Sequence, residues 1–221
     1  MRKGRGLAVT AWVVGPLGLA ILIGSLLHVW SGYTRVTVMS ESMSPTYSVG
    51  QRLVVERMDG DKVRRGDVVL FSAPDRNIRG AVLKRVVAVG GDRIVCCGDG
   101  AAERITVNGK PLVESYVKDG IADGTHRPYD VTVPAGRLFV LGDHRVDSVD
   151  SRFYQGDGHQ GTVATGAVLG RVVDGFGGAL VWFLAALLGL VLALAGVGFG
   201  IAAMVVRRKV LPPMPPWAVQ V

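Results

Sequence analysis

A membrane-anchored, mainly-β protein is the class this sequence predicts, and three observations predict it. Residues 7–30 and 176–206 contain no Asp, Glu, Lys or Arg. Between them, short runs rich in Val and Ile alternate with Gly, Asp and Asn, the pattern of strands and turns. No long stretch of helical period interrupts that middle region. The expected plan is therefore two transmembrane helices flanking an antiparallel β domain.

As a helix, residues 7–30 reach about 36 Å, enough to cross a ~30 Å hydrocarbon core with some tilt. Pro16 and Gly18 weaken a soluble helix but are tolerated in lipid. Trp30 and Tyr33 suit an interfacial belt. A cleavable leader has a shorter apolar core and small residues at its end, whereas this run ends Leu27-His28-Val29-Trp30, so it reads as an uncleaved anchor. The second run is followed by Arg207-Arg208-Lys209 and a tail with Pro212, Pro213, Pro215 and Pro216, which cannot be helical throughout.

Charge placement fixes the expected orientation. The net charge is +7, but Arg2, Lys3, Arg5, Arg207, Arg208 and Lys209 flank the apolar runs. The remainder carries 19 basic and 18 acidic residues, which leaves no basic patch for nucleic acid. Basic residues outside both spans put both termini in the cytoplasm and the β domain across the membrane. The expected domains are a cytoplasmic N-terminus 1–6, a span 7–30, an extracytoplasmic domain 31–175, a span 176–206 and a basic, Pro-rich cytoplasmic tail 207–221.

Within the β domain, strands are expected at 36–38, 51–55, 67–71, 81–89, 93–97, 105–107, 131–133, 137–141 and 167–173. Asn108-Gly109 is a type I′ hairpin signal. Residues 120–127 and 154–161 read as exposed loops. Cys96 and Cys97 are adjacent and can bridge only in a strained ring. Alone they cannot supply a four-ligand zinc site, and they read as two small, oxidisable apolar neighbours whose redox state the sequence leaves open.

The chemistry gathers at Ser40-Glu41-Ser42-Met43-Ser44-Pro45-Thr46. If this stretch is extended, Ser40 and Ser42 project to one side, because side chains in a strand alternate. Pro45 ends the strand and biases Ser44 away from helix. Two hydroxyls on one face suit a nucleophile and a donor to the oxyanion it generates. The nucleophile needs a base, and none of His28, His126, His144 and His159 stands in a setting that suggests a Ser-His pair. A lysine serves if it is neutral, and lowering its pKa from ~10.4 towards neutrality costs roughly 4 kcal/mol, which only a packed apolar setting supplies. Lys84 lies in such a setting, Ala81-Val82-Leu83-Lys84-Arg85-Val86-Val87. Lys84 and Arg85 point to opposite faces of a strand, so at most one of them enters the core.

These residues carry a family resemblance. The serine stretch resembles the Ser-x-Ser-Met-x-Pro-Thr box of bacterial type I signal peptidases. In the same order follow Arg65-Gly66-Asp67-Val68-Val69-Leu70-Phe71, Lys84-Arg85-Val86-Val87-Ala88-Val89-Gly90-Gly91-Asp92, and Gly142-Asp143-His144-Arg145-Val146-Asp147-Ser148-Val149-Asp150-Ser151-Arg152. Each is similar to a box of that family. The resemblance implies a β domain of signal-peptidase type, with Ser42 as nucleophile and Lys84 as general base. It implies an oxyanion site of the Ser42 N–H and the Ser40 hydroxyl, a lysine-orienting Ser148, and structural roles for Asp143, Arg145, Asp150 and Arg152. The sequence departs from the family pattern at Tyr47, Gly90, His144, Val146 and Asp147.

By the same resemblance the substrates are signal peptides of exported preproteins, cut after small residues at −1 and −3. Val36, Val38, Met43, Val82 and Leu83 are the expected pocket walls. The enzyme would work at the bilayer of a bacterial plasma membrane, downstream of the export machinery, with neither cofactor nor metal. Two other readings fit the same motifs: a maturation protease dedicated to one secreted or pilin-type substrate, and a catalytically silent peptide-binding domain.

Overall fold

The computed structural model describes residues 3–76, 78, 80–97, 104–125, 127–173 and 177–208. The expected tail beyond 208 and His126 lie outside these residues. The chain forms two compact units, one of residues 1–31 with 176–221 and one of residues 32–175.

The first unit is a helical pair, α1 (Lys3–Gly32) and α2 (Gly177–Arg208). Each contains a stretch long and apolar enough to cross a membrane, Gly6–Gly32 and Gly178–Val206. Glycine lets their backbones meet: a Cβ on Gly18 would lie 2.3 Å from the Ala193 nitrogen, and one on Gly196 would lie 2.4 Å from the Gly15 Cα. Such close approach is how apolar helices gain packing contact where no hydrophobic force separates them from lipid. Gly198, by contrast, meets nothing within 4 Å, so only part of the Gly-rich stretch serves this contact. The His28 and Trp182 rings stack at 3.9 Å.

The second unit is antiparallel β. Its strands are β1 (Tyr33–Thr37), β2 (Arg52–Glu56), β3 (Val68–Ser72), β4 (Ala81–Val89), β5 (Arg93–Cys96), β6 (Ile105–Val107), β7 (Lys110–Pro111), β8 (Tyr129–Thr132), β9 (Arg137–Leu141), β10 (Val163–Ala164) and β11 (Val168–Val172). They form a seven-stranded sheet, β1-β2-β11-β3-β4-β9-β10, and a four-stranded sheet, β7-β6-β5-β8. Every expected strand is present within a few residues, but β7 and β10 are not foreseen. Two residues are too short a run to show a period. Asn108 (φ 54°) and Gly109 (φ 75°) take the two positive φ values that the type I′ turn between β6 and β7 requires.

Three apolar clusters hold the unit together. Val87, Ala88, Phe139 and Leu141 join Ile94, Ile105, Val107, Tyr129, Val131 and Val133, which links the long β4–β9 ladder to the smaller sheet. Val69, Phe71, Val86, Leu138 and Val140 centre a second cluster. Met43, Tyr47, Leu53, Val55, Val68 and Leu70 centre the third, beneath the serine stretch. Tyr47 thus fills core at a position where the family pattern has an aliphatic residue. Gly90 also has a packing reason, since a Cβ there would sit 3.0 Å from the Pro134 carbonyl oxygen. For Cys96 and Cys97, whose redox state the sequence leaves open, the structure shows a disulfide at the end of β5.

Candidate active site

The serine stretch is not extended. Ser40 has φ −145° and ψ 159°, and Glu41–Met43 then form one 3₁₀ turn that ends at Ser44. The period-two argument therefore does not apply, because the Ser44 N–H closes the turn on the Glu41 carbonyl at 2.8 Å. The turn still brings the two hydroxyls together, with Ser40 Oγ 3.2 Å from Ser42 Oγ. Ser42 is 8% exposed on the buried side of this turn, and Ser40 faces solvent.

Strand β4 delivers the amine. Lys84 pairs in register with Val69 of β3 and is 3% exposed. Its Nζ donates to Ser42 Oγ at 2.7 Å. Burial pushes the Lys84 ammonium down to about 8, against the pull of the Asp150 carboxylate in the opposite direction. A fully apolar surround would depress it further. Here the neighbouring carboxylates, Asp150 first, raise it part of the way back.

Arg85 goes the other way along the strand, yet its side chain is only 11% exposed, so both residues leave solvent. Its guanidinium makes a two-pronged pair with Asp143 (Nε to Oδ1 2.8 Å, Nη2 to Oδ2 2.6 Å) and donates to the Gly66 carbonyl at 2.8 Å. Thr46 donates its hydroxyl to the same Asp143 carboxylate. One ion pair therefore ties together the serine stretch, the Arg-Gly-Asp turn, β4 and the segment after β9. Residues far apart in sequence thereby share one network. The Tyr116 ring lies 4.0 Å from the Arg85 guanidinium carbon.

The segment after β9 folds back over the pair. The His144 N–H donates to the Ser42 carbonyl at 3.1 Å. Its imidazole Nδ1 is buried without a hydrogen-bond partner among the described residues and lies 3.9 Å from the Asp147 carboxylate. Gly142 has no room for a side chain, since a Cβ would fall 2.2 Å from Ser148 Oγ and 2.5 Å from the Ser42 carbonyl oxygen. Ser148 donates its hydroxyl to Asp150 Oδ2 at 2.7 Å, and the one hydrogen bond of Lys84 Nζ among the described residues is to Ser42. Asp150 also accepts from the Gly142 N–H at 3.0 Å and from Arg152 through Nε and Nη2, both at 2.8 Å.

Two acidic residues complete this layer, and sequence reasoning missed both. Asp123, fully buried, pairs with Arg152, which also donates to the Asp123 backbone carbonyl. It sits inside the stretch read as an exposed loop. Glu114 receives the Arg145 guanidinium, and Arg145 Nε donates to the Gly142 carbonyl at 2.9 Å. Neither lies in a motif, and a single Asp in a Gly-rich loop carries no signal of burial. Three buried or nearly buried arginines (85, 145, 152) thus face four carboxylates (114, 123, 143, 150), and of these groups Asp150, Arg152 and Asp143 act on the Lys84 charge.

A cleft of about 510 Å³ opens over Ser42. Val36, Val38, Met43, Val82 and Leu83 all line it, joined by Thr37, Met39, Leu70 and Ala81. Its walls are the end of β1 and the start of β4, two stretches of extended or near-extended chain facing each other across an apolar floor.

A hydroxyl and an amine, both buried, thus meet at the foot of an apolar cleft, and comparison with known proteins gives the class. Residues 9–174 match the family model "Signal peptidase, peptidase S26". A signal peptidase I of Bacillus caldolyticus is 35% identical over 174 residues, covering 73% of this chain and 85% of that one. One of Leptolyngbya laminosa is 30% identical over 171 residues, covering 74% and 77%. A probable signal peptidase I of Mycobacterium leprae is 32% identical over 190 residues, covering 61% and 65%. The solved structure of a signal peptidase I from Enterococcus faecalis V583 aligns at 27% identity with a TM-score of 0.39, over 51% of this chain and 97% of that one. The chain belongs to the signal peptidase family, peptidase S26, as a type I signal peptidase, a serine peptidase that removes signal peptides.

Proposed function

We propose that this peptidase cleaves exported preproteins by a Ser42–Lys84 dyad, after small residues at −1 and −3. The 2.7 Å contact between a buried Lys84 Nζ and Ser42 Oγ carries this reading. Neutral Lys84 accepts the Ser42 proton as Oγ attacks the scissile carbonyl, and the resulting ammonium then gives a proton to the leaving amine. The Ser42 N–H and the Ser40 hydroxyl receive the oxyanion. Water, activated by the same lysine, releases the acyl group. Ser148, Asp150 and Arg152 hold the layer behind the lysine, while Asp143 and Arg145 hold the backbone that covers Ser42.

The cleft supports the substrate class. Its two extended walls suit a peptide bound as an added strand, with alternate side chains entering the apolar floor. Val36, Val38, Met43, Val82 and Leu83 leave room for alanine and exclude larger groups. The two apolar helices and the basic residues beyond them support a two-span protein with both termini cytoplasmic and the β unit on the extracytoplasmic side, working downstream of the export machinery.

The test is cleavage of a preprotein with an Ala-x-Ala site by the detergent-solubilised full chain. Ser42→Ala and Lys84→Met should each lose at least about 10⁴-fold in kcat/KM. Ser40→Ala should lose about 10²–10³-fold in kcat with KM little changed, and Ser44→Ala should retain activity. Retained activity in Lys84→Met would assign the base elsewhere. Cleavage of one preprotein among many would favour a dedicated maturation enzyme.

A further inference from the structure

The disulfide at the end of β5 lies beside the layer that braces the catalytic lysine. One ligand-type atom from each of Cys96, Cys97 and Asp123 lies within 4.8 Å of the others. Cys96 and Asp123 are buried, and Cys97 is half-buried, so the group is reached from one side. Tyr129, the register partner of Cys96 across β5 and β8, has a buried hydroxyl with no hydrogen-bond partner among the described residues. A buried phenol without a partner is a polar group that a native core rarely leaves unpaired. Asp123 is in turn the carboxylate that pairs with Arg152, and Arg152 grips Asp150, which holds Ser148 and Gly142.

We propose that Cys96, Cys97 and Asp123 form, once the disulfide is reduced, a binding site for a thiophilic divalent cation, and that its occupation slows the peptidase through Arg152. A dithiol supplies the two electrons and two protons: its own sulfurs pair as a disulfide, the Cys96–Cys97 bond breaks, and two thiols form. The cation then binds the two thiolates and the Asp123 carboxylate, and two protons leave. Thiolate sulfur selects a soft or borderline cation such as zinc, cadmium or cobalt(II) over magnesium or calcium. A dication on Asp123 competes with Arg152 for the carboxylate and repels its guanidinium, which loosens the hold on Asp150. The cation site stands on its own; the effect on rate rests on the dyad reading above.

Cobalt(II) is the probe. The detergent-solubilised full chain is reduced with dithiothreitol, freed of it without air, and titrated. One equivalent should produce thiolate-to-cobalt charge-transfer absorption, absent from the untreated protein and from reduced C96S/C97S. Asp123→Asn, checked for folding by circular dichroism, should bind at least tenfold more weakly. Absence of the absorption in reduced wild type, or its persistence in C96S/C97S, would overturn the site. Undiminished affinity in Asp123→Asn would remove Asp123 from it. Preprotein cleavage by reduced wild type should fall about tenfold on adding the equivalent of cobalt, with no change in the untreated enzyme. An unchanged rate with cobalt bound would overturn the coupling and leave the site. Failure of the untreated enzyme to cleave any preprotein would instead count against the proposed function and leave the site standing, since the absorption is read independently of activity.

Discussion

Lys84 is where burial becomes chemistry. Its folded pKa of about 8 lies below the ~10.4 of an unfolded lysine. Below pH 8 the amine is protonated and cannot accept the Ser42 proton, so kcat/KM should fall about tenfold per pH unit on the acid side, with a midpoint near 8. A pH–rate profile on a soluble peptide checks this, and a midpoint near 6.5 would point to a histidine instead. The same shift bears on stability. Between pH 8 and 10.4 the unfolded chain holds a proton that the folded one has released, so stability from this group rises with pH across that window. At neutral pH the full penalty, roughly 3 kcal/mol, is present. Lys84→Met should therefore be inactive yet melt higher than wild type, the usual exchange of stability for a strained active site. His144, the other base near Ser42, gives that serine a backbone N–H.

Among the elements, β4 and the segment after β9 decide whether the site exists. Strand β4 carries Lys84 and Arg85, and the pairing of Arg85 with Asp143 closes the distance between segments 58 residues apart. Asp143→Ala would leave the Arg85 guanidinium buried without its carboxylate and should cost about 3–5 kcal/mol in urea unfolding of the β unit. A loss under about 1 kcal/mol would mean that Arg85 finds water or Thr46 instead. The strands of four or more residues were legible from their Val and Ile runs, and the hairpin from Asn108-Gly109. Ser40 and Ser42 were legible as a pair, but not the 3₁₀ turn that joins them, because a local hydrogen bond overrides the extended pattern. Asp123 was illegible, since its burial comes from Arg152, 29 residues away, and not from its own loop.

As a whole molecule the chain is two compact units, and the β unit has its own apolar clusters and all of the site residues. Residues 32–173 alone should fold, and should hydrolyse a soluble peptide with an Ala-x-Ala site in a Ser42-dependent way. A fragment that lacks strand signal in circular dichroism would show that the β unit needs the helices. The amino-acid sequence by itself determined the two apolar helices, the β character of the middle, and the motifs that carry the family resemblance, because hydrophobic run length, strand period and motif order are local properties. Only the tertiary structure decided that Lys84 is buried against Ser42, that Asp143 locks Arg85 and Thr46 together, and that Asp123 lies between a cysteine pair and Arg152. Each of those depends on which distant group excludes water from a charge, and no local pattern of residues encodes that.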